Sequence, residues 1–158
     1  MCRNMGQAQG ADHSEVKDEY NKKATPGKGV ITQDDDLQIK KHKQEIEFAE
    51  WLKSTYGGDI HIYQEHSGAK NPDYIWNGKM WDLKTVSTEK AANSAIKEGQ
   101  KQIRNNPGGI ILNYNKNDLS IPVLESVINN RMKWYKDIEL DIMIVNNGKT
   151  VKILRYKK

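Results

Sequence analysis

Apolar positions along the chain recur with two different periods, and the change between them marks out the elements. Leu37, Ile46, Ala49, Leu52 and Tyr56 fall along one helical stripe. Asp34, Asp35 and Asp36 supply an N-cap and acidic first turn, and Gly57-Gly58 a stop, so a helix is expected over about 35–56. From Asp59 the pattern alternates. Ile60 and Ile62 are followed by strand-like runs at 73–76 and 80–86, separated by Asn77-Gly78, a strong hairpin signal. Ser87 or Thr88 can cap a second helix carrying Ala92, Ile96, Gly99 and Ile103 on one stripe, which stops before Asn105-Asn106-Pro107-Gly108-Gly109. A short buried strand at 110–114, a third helix at about 121–136 with Pro122 in its first turn, and a hairpin of 140–145 and 151–156 around Asn147-Gly148 complete the chain. This order predicts an α/β fold: a small mixed β-sheet flanked by helices, an αβββαβ core with an added helix and a C-terminal hairpin.

Residues 1–33 are rich in Gly, Gln, Lys, Asp and Ala and include a Pro-Gly-Lys-Gly run at 26–29, which predicts a flexible leader before a domain at 34–158. The 158 residues suffice for one domain. No run of about 18 uncharged apolar residues exists to span a membrane, and the N-terminus lacks the basic and apolar stretches of a secretory signal. The single cysteine, Cys2, cannot form an intrachain disulfide, and no Cys/His cluster has zinc-ligand spacing. Net charge is +4, but residues 1–36 carry -2 and residues 37–158 carry +6. Eight Lys/Arg against three acids lie in 131–158, a balance that suits a polyanion, an acidic protein inhibitor or simply a solvated surface.

The stretch from Asn71 to Lys84 carries the most chemical information. With Asn77-Gly78 as a two-residue turn, Trp76 opposes Lys79, Ile75 opposes Met80, Tyr74 opposes Trp81 and Asp73 opposes Asp82. Directly opposed like charges, about 4.5–5.5 Å apart at Cβ, destabilise a hairpin unless a positive group lies between them. A divalent cation would resolve the conflict, and carboxylate oxygens suit Mg²⁺ or Mn²⁺. Lys84, two residues beyond Asp82, projects from the same face, while Tyr74, Trp76, Trp81 and Leu83 form a core surface on the other. An ion with a neighbouring lysine is a means of hydrolysing a phosphodiester.

Pro72-Asp73, eight intervening residues and Asp82-Leu83-Lys84 on a hairpin resemble the signature of the PD-(D/E)XK nuclease superfamily, whose core places a helix before the hairpin and a helix and strand after it. The resemblance implies metal ligation by Asp73 and Asp82 and a catalytic role for Lys84. It further implies a helical glutamate, for which Glu45, seven residues before Leu52 and on its stripe, is the best placed of Glu45, Glu47 and Glu50. In some branches a glutamine follows on the second helix, where Gln102 fits better than Gln100. Small size, the Asp-Leu-Lys-Thr sequence at 82–85 and the polar leader also resemble the C-terminal nuclease toxin domains of CdiA-type contact-dependent growth inhibition proteins and related polymorphic toxins, over about 38–156. That likeness implies a metal-dependent toxin ribonuclease acting on tRNA in the bacterial cytoplasm and held in check by a cognate immunity protein. A DNase on the same scaffold and a non-catalytic nucleic-acid-binding domain are the alternatives.

Plainer readings exist for each residue. Asp73 and Asp82 flank an Asn-Gly turn where solvated aspartates are common, Lys84 and Gln102 fit a polar surface, and Glu45 can pair with Lys41. His42, His61 and His66 have no mutual spacing that specifies a metal-free acid–base pair, and read as structural or solvated. Trp51, Trp76 and Trp81 read as core. Trp134, among Arg131, Lys133 and Lys136, is the best placed tryptophan for stacking on a nucleic acid.

Overall fold

The computed structural model describes residues 12–65, 71–115 and 120–158. It consists of strands β1 (His13–Glu15), β2 (Ile31–Gln33), β3 (Ile60–Ile62), β4 (Tyr74–Trp76), β5 (Lys79–Val86), β6 (Pro107–Tyr114), β7 (Leu140–Asn146) and β8 (Lys149–Tyr156). The helices are α1 (Lys17–Lys23), α2 (Lys43–Thr55), α3 (Glu89–Ile103) and α4 (Ile121–Met132). All eight strands form one mixed sheet in the order β1-β8-β7-β6-β5-β4-β3-β2. Strands β5, β6 and β7 run parallel, as do β2 and β3, and the remaining pairs are antiparallel. From α2 to β8 the elements follow the order expected from sequence.

Both hairpin turns close as the Asn-Gly pairs require. Asn77 and Gly78 have φ of 51° and 80°, and Asn147 and Gly148 have 52° and 76°, the double positive φ that matches strand twist. The first turn sets the register Tyr74↔Trp81, Ile75↔Met80 and Trp76↔Lys79. A one-residue slip would turn Trp76 and Trp81, both buried, to the opposite face, so the aromatic burial locks what the turn begins.

Helices cover both faces. On one, α3 and α4 bury Ala92, Ile96, Ile103, Leu124 and Ile128 against Ile110, Leu112, Ile142, Ile144 and Leu154. On the other, Ala49 and Leu52 of α2 lie with Tyr74, Trp76, Trp81, Ile111, Met143 and Ile153. The expected division of the hairpin into a packed face and an open chemical face is therefore incomplete. Val86, on the side of Asp82 and Lys84, belongs to the α3/α4 core, and Asp82 itself is only 3% exposed.

Residues 12–33, expected to be part of a flexible leader, are instead built into the sheet. The Val16 N–H donates to the Ile153 carbonyl, Thr25 N–H to Tyr56 and Gly27 N–H to Lys53, while the Tyr20 ring meets Tyr56, Trp76 and Trp81 edge-on or tilted. Backbone pairing and the packing of Val16, Tyr20, Ala24 and Ile31 against the core hold a segment whose composition is largely polar. Cys2 lies outside the described residues.

The first core helix begins at Lys43, not near 35. Asp34 is engaged in tertiary bonds, with its Oδ2 accepting from the Gln64 N–H at 2.9 Å and its Oδ1 lying 2.8 Å from His61 Nε2, so 34–42 folds as turns. At its other margin α4 stops at Met132, short of 136, where i→i+3 bonds from Trp134 and Tyr135 tighten the chain. Strand β6 starts at Pro107, so the glycines read as loop are strand residues. A Cβ on Gly109 would lie 2.3 Å from the Asp141 carbonyl oxygen and 2.6 Å from the Trp81 ring, a closeness only glycine permits.

Candidate functional site

Strand β4 pairs with only the first half of β5, Lys79 to Trp81, and beyond Tyr74 the chain parts from it. A cavity of about 260 Å³ occupies that gap. Because it lies at a parting of two strands, it is reached from both faces of the sheet: Glu45 enters from α2, Gln102 from α3, and Asp73, Asp82 and Lys84 from the hairpin. All five residues singled out from sequence line this one space.

Asp73 directly precedes β4 and continues its register, with its carbonyl accepting from the Tyr63 N–H at 3.1 Å. Its Oδ2 accepts from the Leu83 backbone N–H at 2.7 Å, which ties the carboxylate to β5 beside Asp82. Lys84 Nζ stands 3.1 Å from Asp82 Oδ2. That distance is an ion pair, and the buried Asp82 Oδ2 has no other polar partner among the described residues. The charge of this oxygen is therefore met by Lys84 alone, a costly arrangement in a low-dielectric setting. Gly99 of α3 packs closely over this region: a Cβ there would sit 3.0 Å from Ile110 Cδ1 and in ordinary contact, 3.5 Å, with Asp82 Oδ2.

The electrostatics follow from burial. Desolvation, and then the negative charge of Asp82, push the Asp73 carboxyl well above its usual range, with Glu45 adding to the effect. Burial opposes the charge on Lys84, but Asp82 and Asp73 more than offset it and hold the ammonium above its usual value. A hard divalent cation fits this donor set: two neighbouring carboxylates, one with a buried oxygen whose charge is met only by Lys84, in a polar cavity with space for water. No three His, Cys, Asp or Glu side chains converge as a metal cluster among the described residues. Asp73 and Asp82 are the two carboxylates that could hold such an ion, whereas Glu45 lines the cavity with its Oε1 3.7 Å from His42 Nδ1.

The α2 stripe carries Glu45 at the edge of the buried face above Ala49 and Leu52, and the Tyr74 hydroxyl donates to the Glu45 carbonyl at 2.5 Å, fixing the first turn of α2 over the hairpin. Gln100 is engaged elsewhere: its amide donates to the Lys97 carbonyl and accepts from Arg104 Nε, while Gln102 faces the cavity. Sequence reasoning set His42 aside as structural or solvated. It lines the same cavity, 4% exposed, with Nε2 unpartnered among the described residues. Its position three residues before Glu45 was the available signal. His61 is bound to Asp34 and Thr32, and His66 lies outside the described residues.

A second cavity of about 340 Å³ lies where β5, β6 and β7 begin, over Tyr20, Tyr56, Trp76 and Trp81. Its principal charges are already matched, since Arg155 binds Asp141 through Nε and Nη2 and Glu19 through Nη1, and the Tyr20 hydroxyl donates to Asp141. The basic run at 131–158 is thus partly neutralised, for Lys152 also pairs with Glu125 at 2.8 Å. Trp134 is 72% exposed but does not line the carboxylate cavity.

The sequence profile of the contact-dependent growth inhibition CdiA C-terminal domain matches residues 70–151, more than half of the chain. The chain belongs to this CdiA C-terminal domain family. Asp73, Asp82, Lys84 and Gln102 lie within the matched segment of the CdiA C-terminal domain, while His42 and Glu45 precede it. Among solved structures, the chain is similar to the CdiA-CT/CdiI toxin and immunity complex from Burkholderia pseudomallei, at 18% identity and a TM-score of 0.49 over 77% of this chain and 97% of that one. No curated protein matches the sequence. No helix among the described residues is long and apolar enough to cross a membrane.

Proposed function

We propose that this CdiA C-terminal domain is a metal-dependent endonuclease of PD-(D/E)XK type, a toxin ribonuclease that cleaves tRNA in the cytoplasm of a bacterial target cell and is inhibited by a cognate immunity protein. One observation carries the reading: Asp73 and Asp82 are forced together at the parting of β4 and β5 with Lys84 3.1 Å from Asp82. Like charges at a buried register position cost stability, so their placement makes sense as a cation site.

Asp73, Asp82 and Glu45, which line one cavity, would hold Mg²⁺ or Mn²⁺. Bound there, the ion would acidify a water and polarise the phosphoryl oxygen. Lys84 lies beside the same carboxylates and would place its ammonium against the charge that develops on the phosphate during attack. Gln102 would orient the attacking water or a phosphate oxygen through its amide. The Leu83 N–H holds the Asp73 carboxylate beside β5 next to Asp82, so the β5 backbone would help fix the spacing of the two ligands.

The test is incubation of the purified protein with total tRNA and, separately, with plasmid DNA, each with Mg²⁺ and with EDTA, beside the Asp82→Ala and Lys84→Ala proteins. Discrete tRNA cleavage that needs the metal, and falls by about 10²-fold or more in both variants, is expected. Cleavage of plasmid alone assigns a DNase, absence of any cleavage favours a binding domain, and full activity in both variants sinks the site.

A further inference from the structure

We infer that the groove beside the carboxylate cavity, over the first turns of α3, is a subsite for the nucleic-acid strand flanking the scissile phosphate, with Lys90 as its main cation. This rests on the nuclease reading for the position of the cut phosphate, but the groove itself is a property of the fold. It has a volume of about 550 Å³ and borders the cavity at Lys84, which lines both. A phosphate held at Asp82 and Lys84 therefore leads its chain neighbour into it.

The groove is formed by small residues. Ala91 and Ala95 keep the near side of α3 low, and Val86 forms part of the floor. Around that apolar floor stand groups suited to phosphate and sugar oxygens. Lys90 pairs with no acid among the described residues, and Ser94 Oγ makes no hydrogen bond there. Thr85 Oγ1 accepts from Gln44 Nε2 of α2, so its hydroxyl belongs to the opposite face of the sheet and takes no part in the groove. Thr88 Oγ1 is spent on capping α3 through the Ala91 N–H at 3.0 Å, which sets the helix start beside Lys90. Glu98, at the other margin, acts electrostatically on Lys84, so the anion-attracting part of the groove is the Lys90 and Ser94 end.

A small anion would need a closed site, whereas an open groove bordering the carboxylate cavity suits a polymer. Phosphate contacts of this kind position the strand without reading sequence. Each also adds about 0.7–0.9 to the salt slope of binding.

The test measures binding of fluorescein-labelled single-stranded RNA to the uncleaving Asp82→Ala protein between low and physiological salt, alone and combined with Lys90→Gln, Lys90→Arg or, as a control, Lys22→Gln. Lys90→Gln is expected to weaken binding by about 3–10-fold and to lower the salt slope by about one, with Lys90→Arg restoring both and Lys22→Gln changing neither. In the otherwise intact enzyme Lys90→Gln should raise KM and leave kcat unchanged. The same loss on a DNA oligonucleotide supports the subsite equally. An unchanged slope in Lys90→Gln, an equal loss in Lys22→Gln, or no nucleic-acid binding overturns it. Because the binding arm needs no turnover, absence of cleavage with a Lys90-dependent slope rejects the nuclease reading and keeps the subsite, whereas cleavage with an unchanged slope does the reverse.

Discussion

Between the unfolded and folded chain the Asp73 carboxyl moves from water to a buried position beside Asp82, and its pKa rises. The folded state therefore holds that proton more tightly than the unfolded state. By linkage, the contribution of Asp73 is most favourable at acid pH and is lost as pH rises from the usual carboxylate value through the raised one. In EDTA, the pH dependence of the melting temperature should fall across that window, and Asp73→Asn should flatten the fall. Adding Mg²⁺ near neutral pH should restore stability by binding only the folded protein, and the gain should vanish in Asp82→Ala. A melting temperature insensitive to Mg²⁺ in both proteins would count against Asp73 and Asp82 as cation ligands. Sequence spacing was enough to bring these two carboxylates together, because a two-residue turn dictates what opposes what. It did not reveal that Asp82 is buried or that His42 faces the same cavity, since both depend on what α2 and α3 lay over the hairpin.

Elements were legible where the signal was local. The Asn-Gly turns, the Thr88 cap and the α3 stripe all recur in the structure because each acts within a few residues. Element ends were less legible where distant residues compete for the same groups, as when Gln64 and His61 take the Asp34 carboxylate that would otherwise cap a helix. The entry into β6 shows the same effect in steric form. Gly109→Ala would drive a methyl into the Asp141 carbonyl and the Trp81 ring and should cost about 2 kcal/mol, read as a lowered urea midpoint at unchanged m-value. Equal stability would mean that β6 and β7 can separate without penalty there.

On the scale of the whole molecule, the sheet is completed by residues that sequence assigned to a leader. Removing 12–33 would strip β1 from β8, β2 from β3 and the Tyr20 ring from Tyr56, Trp76 and Trp81. A chain beginning at Asp34 should melt at least about 5 °C lower in a calorimeter. An unchanged melting temperature would make that segment a passive appendage. By itself the sequence determined the α/β order, both hairpins, the register of Tyr74, Ile75 and Trp76 against Trp81, Met80 and Lys79, and the stripe that carries Glu45, for periodicity and turn chemistry are local constraints on the backbone. Only the tertiary structure decided that helices cover both faces, that β4 leaves β5 at the carboxylates, and that Glu45 and Gln102 reach one cavity from opposite sides of the sheet. Those outcomes arise from packing between residues far apart along the chain, where the burial of one surface is defined only by the presence of another.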